Sequence, residues 1–295
     1  MALDVGRAEK PVQKLRKLLK KMPATPSADD IHEFRTASRR IEATLEALPL
    51  DSAKRRRGMV KRIAQLRKRA GQVRDMDVLT EYLSSVPRDS DERKCSVQLL
   101  EHLGAQRQKY AKKFDSTKQE YAWELNKRLK RTSRQMEKAL ARNGRPDPKR
   151  TADVAASALK LLTDLKQPAR LGKTNLHPYR LKVKELRNLL EMAEHSEQQE
   201  FVRRLGEVKD AIGEWHDWEE LVTIAKEVLD HGANCQLVHD LRNIGNTKYR
   251  NALALSETMR KKYLRISDRK NNRSVRHRAH GPSESVWLAT SALIA

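Results

Sequence analysis

An all-α protein is predicted by three observations: few turn formers, a composition rich in helix formers, and apolar residues recurring at helical spacing. The 295-residue chain has 11 Gly and 10 Pro, too few to punctuate many short strands. Ala, Leu, Glu, Lys, Arg and Gln dominate it, and these lose least on entering a helix. Val5, Val12, Leu15, Leu19 and Met22 step by three, four or seven and define a first helix, ended by Pro23. Ser27 begins a second, with Asp30 three residues on to complete a capping box. Its buried stripe should be Ile31, Phe34, Ser38, Ile41, Leu45 and Leu48, closed by Pro49. A third runs from near Ser52 through Met59, Ile63, Leu66, Ala70 and Val73 toward Leu83, before Pro87. Residues 91–142 keep the helical pattern, but that is long for one globular helix, so an interruption is expected near Asp115-Ser116-Thr117.

Residues 143–150, with Gly144, Pro146 and Pro148, form the clearest linker. It divides a first helical half (1–142) from a second (151–266). The second half reads as a short helix over 151–166, a loop over 167–172, and helical stretches near 175–195, 197–231 and 233–266. Residues 267–295 are basic and aperiodic at first, which predicts a disordered tail. Its apolar end, VWLATSALIA, is too short to span a bilayer.

Charge narrows the partner. There are 62 Lys+Arg against 39 Asp+Glu, a formal charge of +23, which points to a polyanion. Two cysteines, Cys95 and Cys235, form neither a CxxC pair nor a Cys/His cluster, so a reducing compartment is the default. The N-terminus lacks a signal-peptide core and no apolar run reaches membrane length, so a cytoplasmic protein is expected.

A duplication gives the bulk charge an address. Residues 31–41 read IHEFRTASRRI and residues 176–186 read LHPYRLKVKEL, an offset of 145 that pairs His32 with His177, Phe34 with Tyr179, Arg35 with Arg180 and Arg39 with Lys184. Residues 70–79, AGQVRDMDVL, match 212–221, IGEWHDWEEL, at an offset of 142. That second match pairs Gly71 with Gly213, Arg74 with His216 and Asp77 with Glu219. Two blocks in the same order predict two related helical halves. At about 100° per residue, His32, Arg35 and Arg39 form a strip beside the apolar stripe, as do His177, Arg180, Lys184 and Arg187. Arg67 and Arg74 flank Ile63, Leu66, Ala70 and Val73 in the same way, and Lys209 and His216 flank Leu205, Val208, Ile212 and Trp215. A solvated charge face would lie opposite the apolar stripe. Bases that hug its edge instead predict a basic groove in each half, or one channel shared by both.

Other chemistry finds less support. His32 and His177 lack His, Cys or carboxylate partners at i+3 or i+4, and cationic neighbours repel a metal ion. No metal or other cofactor is therefore expected, and no phosphate-binding glycine loop occurs. Asp77 and Glu219 fall on the buried stripe of the third helix of each half. A buried carboxylate is costly unless paired, so each is expected to orient a neighbouring base. One carboxylate per half, without a nucleophile–base pair, argues against catalysis. Gly71 and Gly213, each costing about 1 kcal/mol in a helix, suggest close packing or close approach of a ligand.

Together the four blocks resemble the CHAD family, the histidine-bearing α-helical domain, over residues 5–265 or so. The resemblance implies two tandem four-helix-bundle-like halves related by a pseudo-twofold internal repeat, with the motif bases facing a central basic cavity. It also implies binding of inorganic polyphosphate and association with polyphosphate granules. Many members are fused to a triphosphate-tunnel domain; no ExExK signature accompanies the helices here, so a stand-alone member without that enzyme's machinery is expected. Carried over by motif position are His32, Arg35, Arg39 and Arg40, then His177, Arg180, Lys184 and Arg187. The chain departs from an all-basic motif at Glu42, opposite Arg187, and at Glu185, opposite Arg40, so unequal halves are expected.

The expected function is non-enzymatic polyphosphate binding by these eight residues with Arg67, Arg74, Lys209 and His216. Polyphosphate is charge without bases and needs only a basic track. A single-strand nucleic-acid binder needs aromatic platforms, and aromatics make up 4% of this chain. Phosphate-backbone binding of nucleic acid is the alternative, and a phosphohydrolase using Asp77 or Glu219 comes third.

Overall fold

A computed structural model of the chain describes residues 5–47, 53–87, 93–142, 148–192 and 199–264. Among the described residues are eight α-helices, a single 3-10 turn and no strand. The helices are α1 (Val5–Lys21), α2 (Ala28–Ala47), α3 (Ala53–Ser85), α4 (Arg93–Arg142), α5 (Pro148–Lys166), α6 (Lys173–Met192), α7 (Gln199–Val228) and α8 (Gln236–Leu264). The chain divides into two units, Met1–Pro146 with Val228–Asp230, and Asp147–Glu227 with His231–Ala295.

In the first unit α1 packs on α2 and α4, and α3 on α2 and α4, a closed ring of four helices. The predicted stripes turn inward: Val12, Leu15, Leu19, Ile31, Phe34, Ile41, Ile63, Leu66, Ala70 and Val73 are all buried. They share one core with Phe114, whose ring meets Phe34 edge-on at 5.2 Å. Ser38 sits in this stripe at no cost, because its hydroxyl donates to the Phe34 carbonyl at 2.7 Å. The side chains of Val5, Leu45 and Leu48, Pro49, and the whole 267–295 tail lie outside the described residues.

The second unit has its own core, drawn from α5, α6, α7 and α8 and including Leu176, Tyr179, Val183, Leu205, Ile212 and Trp215. Trp215 packs on Tyr249, and Phe201 on Tyr263, with centroid separations of 5.4 and 4.7 Å.

Helix starts follow local chemistry. The Ser27 hydroxyl accepts from the Asp30 amide at 3.1 Å, while the Asp30 carboxylate accepts from the Ser27 amide at 3.0 Å. That reciprocal box satisfies two donors that would otherwise be orphaned. At the start of α6, Asn175 Oδ1 accepts from the Gly172 amide at 2.8 Å, half of the same device at the 145-residue offset.

Two expectations are corrected. α4 is continuous through Asp115-Ser116-Thr117. Polar side chains there close on their own helix: Asp115 pairs with Lys118 at 2.7 Å and accepts from Gln119, and Thr117 donates to the Lys113 carbonyl. These bonds run within the helix and leave its backbone ladder continuous. α5 begins at Pro148, inside the expected linker, because a first-turn proline has its φ preset and has no amide needing a partner.

Candidate functional site

In the first unit the site is built on α2 and α3. Arg35 leaves α2 and lies across α3 at Gly71, where an added Cβ would stand 3.2 Å from its Nη1. The glycine is what permits that approach. One turn further along α3, Asp75 lies 3.7 Å from the same nitrogen. One turn earlier, Arg67 pairs with Glu42 of α2. Burial, and then the charge of Arg35, push the Arg67 pKa below its ordinary value. Packing thus holds two guanidinium groups close enough to repel.

The second unit repeats this on α6 and α7 at closer range. A Cβ on Gly213 would lie 2.9 Å from Arg180 Nη2 and 3.0 Å from its Nε. That Nε donates to the Lys209 carbonyl at 3.1 Å, so the backbone of α7 fixes the guanidinium. Beside it the rings of His177 and His216 stand 4.4 Å apart, tilted by 55°. Burial is the main cause lowering both histidine pKa values. His216 and Arg180 add to it at His177, and Arg180 adds to it at His216, against a smaller opposite pull from Glu219. His177 Nδ1 is buried without a hydrogen-bond partner among the described residues. Arg187 packs its Nε 3.4 Å from the Cβ position of Gly206 and donates through Nη2 to Glu191. Lys209 Nζ pairs with Asp210 at 2.6 Å, and Lys184 is half-buried.

The two constellations differ where the sequence does. Glu42 pairs with Arg67 in the first, whereas the second has Arg187 at the place of Glu42, paired with Glu191 of its own helix. Ala64 of α3 is matched by Gly206 of α7, which makes room for that longer base. His32, Arg39 and Arg40 are exposed on α2, and Arg74, half-buried, takes the place of His216. Hence Arg35 and Arg67 are gathered in one unit, and Arg180, His177 and His216 in the other. Among the described residues His32 joins no comparable pair.

The two carboxylates hold bases from neighbouring helices. Asp77, whose side chain is 9% exposed, pairs with Arg107 of α4 at 2.5 Å. Glu219 pairs with Lys173 of α6 at 3.0 Å, and that ammonium also lies 5.5 Å from the Tyr249 ring centroid. Sequence reasoning missed these basic partners, and it missed two buried bases that close helix ends. Lys118 of α4 donates to the Met22 carbonyl at 2.8 Å, and Arg260 of α8 donates to the Lys166 and Pro168 carbonyls. The signal was present: Lys118 and Arg260 are separated by the same 142 residues as Gly71 and Gly213. Among the described residues no three His, Cys, Asp or Glu side chains cluster as metal ligands, and no helix is long and apolar enough to cross a membrane.

Comparison with known proteins agrees with this architecture. The crystal structure of the CHAD domain from the plant Ricinus communis superposes with a TM-score of 0.54 at 18% identity, covering 87% of this chain and 88% of that one. Such a likeness speaks for the fold alone. No curated protein matches. The CHAD domain family model matches residues 9–226, from α1 into α7 and across both motif helices. The chain belongs to the CHAD domain family.

Proposed function

We propose that the protein binds inorganic polyphosphate along the basic strips of α2–α3 and α6–α7, without chemical turnover. The observation that carries this reading is the convergence of basic groups beside a glycine: Arg35 and Arg67 at Gly71, and Arg180, His177 and His216 at Gly213. A phosphate oxygen among them would offset the repulsion between the arginines and favour protonation of the histidines. Arg35 and Arg180 offer planar forks of donors, Lys184 and Lys209 point charges, and the histidines a donor that strengthens on protonation. Phe34 is buried in one core and Tyr179 in the other, so neither strip offers a stacking surface from its motif aromatic. Charge is then the recognised feature. The remaining bases, His32, Arg39, Arg40, Arg74 and Arg187, extend each track. Asp77 and Glu219 are engaged with Arg107 and Lys173, which supports a role in positioning bases rather than in hydrolysis. A cytoplasmic protein collecting on polyphosphate granules follows from this reading.

Competition separates polyphosphate from nucleic acid. Long-chain polyphosphate should displace duplex DNA at equal phosphate concentration; displacement in the other direction sinks the proposal. Incubation with tripolyphosphate and Mg²⁺ should release no orthophosphate, and steady release would make the protein an enzyme.

A further inference from the structure

The solvent face of α4 carries a second basic surface, and unlike the strips above it has an aromatic ring at its middle. Lys109, Lys112, Lys113, Trp123, Lys127, Lys130, Arg131 and Arg134 are all exposed. At about 100° per residue they fall within roughly 100° of arc, so they form one stripe along the helix. From Lys109 to Arg134 it runs about 38 Å at ~1.5 Å per residue. None of its seven bases pairs with a carboxylate among the described residues. Between Tyr121 and Gln135 the one acid is Glu124, and it is taken up by Arg62 and Arg128. On the stripe itself Glu120 is the one carboxylate.

Trp123 is 73% exposed, so part of its indole is open to a flat partner. The Lys127 ammonium stands 4.9 Å from the ring centroid, so a cation and a π face are presented side by side. We propose that this face of α4 binds single-stranded nucleic acid, one base stacking on Trp123 while the phosphates on either side follow the lysines and arginines. Phosphate chains have nothing to place against an indole, whereas every nucleobase has a face to stack. Insertion into lipid would call for further exposed apolar groups nearby. The other large hydrophobics exposed among the described residues are Val97, Leu159 and Leu181, and none belongs to the stripe. This inference does not depend on the polyphosphate reading.

Two oligonucleotides that differ only in their bases supply the test. Oligo(dT) of about 12 nucleotides, inside the usual range for single-strand sites, is compared with an abasic strand of equal length by fluorescence anisotropy. The wild type should bind oligo(dT) at least about 5-fold more tightly than the abasic strand, the value of one modest stack. Trp123→Ala should erase that difference, and Trp123→Phe should keep part of it. Replacing Lys127, Lys130 and Arg134 by Gln should weaken both strands and reduce the logarithmic salt slope by about 2. Equal affinity of the wild type for the two strands overturns the proposal, as does a base preference that survives Trp123→Ala. Loss of binding to phosphatidylserine vesicles in Trp123→Ala, with oligo(dT) binding intact, would assign the face to membranes instead. The α4 side chains replaced are exposed, and circular dichroism verifies that each variant stays folded.

Discussion

Replacing Gly213 by Ala should separate stability from binding. In an ordinary helix interior the exchange stabilises by about 1 kcal/mol. Here the new methyl would lie 2.9 Å from Arg180 Nη2 and 3.0 Å from Nε, closer than real contacts allow. The colliding atoms are the end of a flexible side chain, so the guanidinium moves and the helices stay. Moving it breaks the bond from Nε to the Lys209 carbonyl, a loss of about 1 kcal/mol for a partly exposed donor. The two effects nearly cancel, and unfolding stability should stay within about 1 kcal/mol of wild type. Polyphosphate affinity should nevertheless fall, because Arg180 would no longer point into the proposed track. A charge-assisted hydrogen bond of about 1.5–3 kcal/mol, partly lost, corresponds to a drop of roughly 3- to 10-fold. Gly104→Ala is the control: no atom lies within 4 Å of its Cβ position, so it should gain most of the ~1 kcal/mol and bind unchanged. Denaturant melts and isothermal titration with polyphosphate read both quantities. If Gly213→Ala gains as much as Gly104→Ala and binds as tightly as wild type, the guanidinium does not rest on that glycine and the reasoning fails.

Other expectations rest on neighbouring contacts. Glu42→Gln keeps a hydrogen bond for Arg67 while removing the charge that neutralises it, so polyphosphate should bind several-fold more tightly with a steeper salt dependence; unchanged binding would mean that Arg67 lies off the track. His177 and His216 titrate below the ordinary 6.5, so the unfolded chain takes up protons first as pH falls. Their contribution to stability is therefore present above about pH 6.5 and lost as pH drops through the lowered folded values. A bound polyanion favours the protonated rings, and titration calorimetry should show tighter binding near pH 5.5 than near 7.5, with the trend flattened in a His177→Gln, His216→Gln double variant. Lys118→Met strips the Met22 carbonyl of its buried donor and should cost about 1–3 kcal/mol in chemical denaturation, without weakening polyphosphate binding. A loss of affinity there would mean that the first unit's helix ends are coupled to the strip.

Much of this was legible in the chain because helical periodicity and the motif offsets are local signals. The stripes from Val12 to Met22, Ile31 to Ile41 and Met59 to Leu83 are the buried ones, and Ser27 with Asp30 caps α2 as its spacing implied. Gly71 and Gly213 stood out as helix-interior glycines, and what they admit is the arginine of the facing motif helix. Contacts made across helices were less readable. The wheel put His177 and His216 on strips of separate helices, but only the packing of α6 on α7 brings their rings to 4.4 Å. The Asp115-Ser116-Thr117 segment misled because its side chains look like helix breakers until they bond back onto α4. Trp123 escaped notice because a count of aromatics does not say which one faces solvent. Lys118 and Arg260 at helix ends, and Ser27 and Gly172 at helix starts, are spaced by the same 142 and 145 residues as the motif blocks.

The most direct test replaces Arg35, Arg39, Arg180 and Lys184 by Ala together and measures retention on immobilised long-chain polyphosphate, with helicity followed by circular dichroism. The strips account predicts that retention is lost at physiological salt while the helical signal is unchanged. Retention equal to wild type in a folded quadruple variant would contradict it and place polyphosphate elsewhere on the protein.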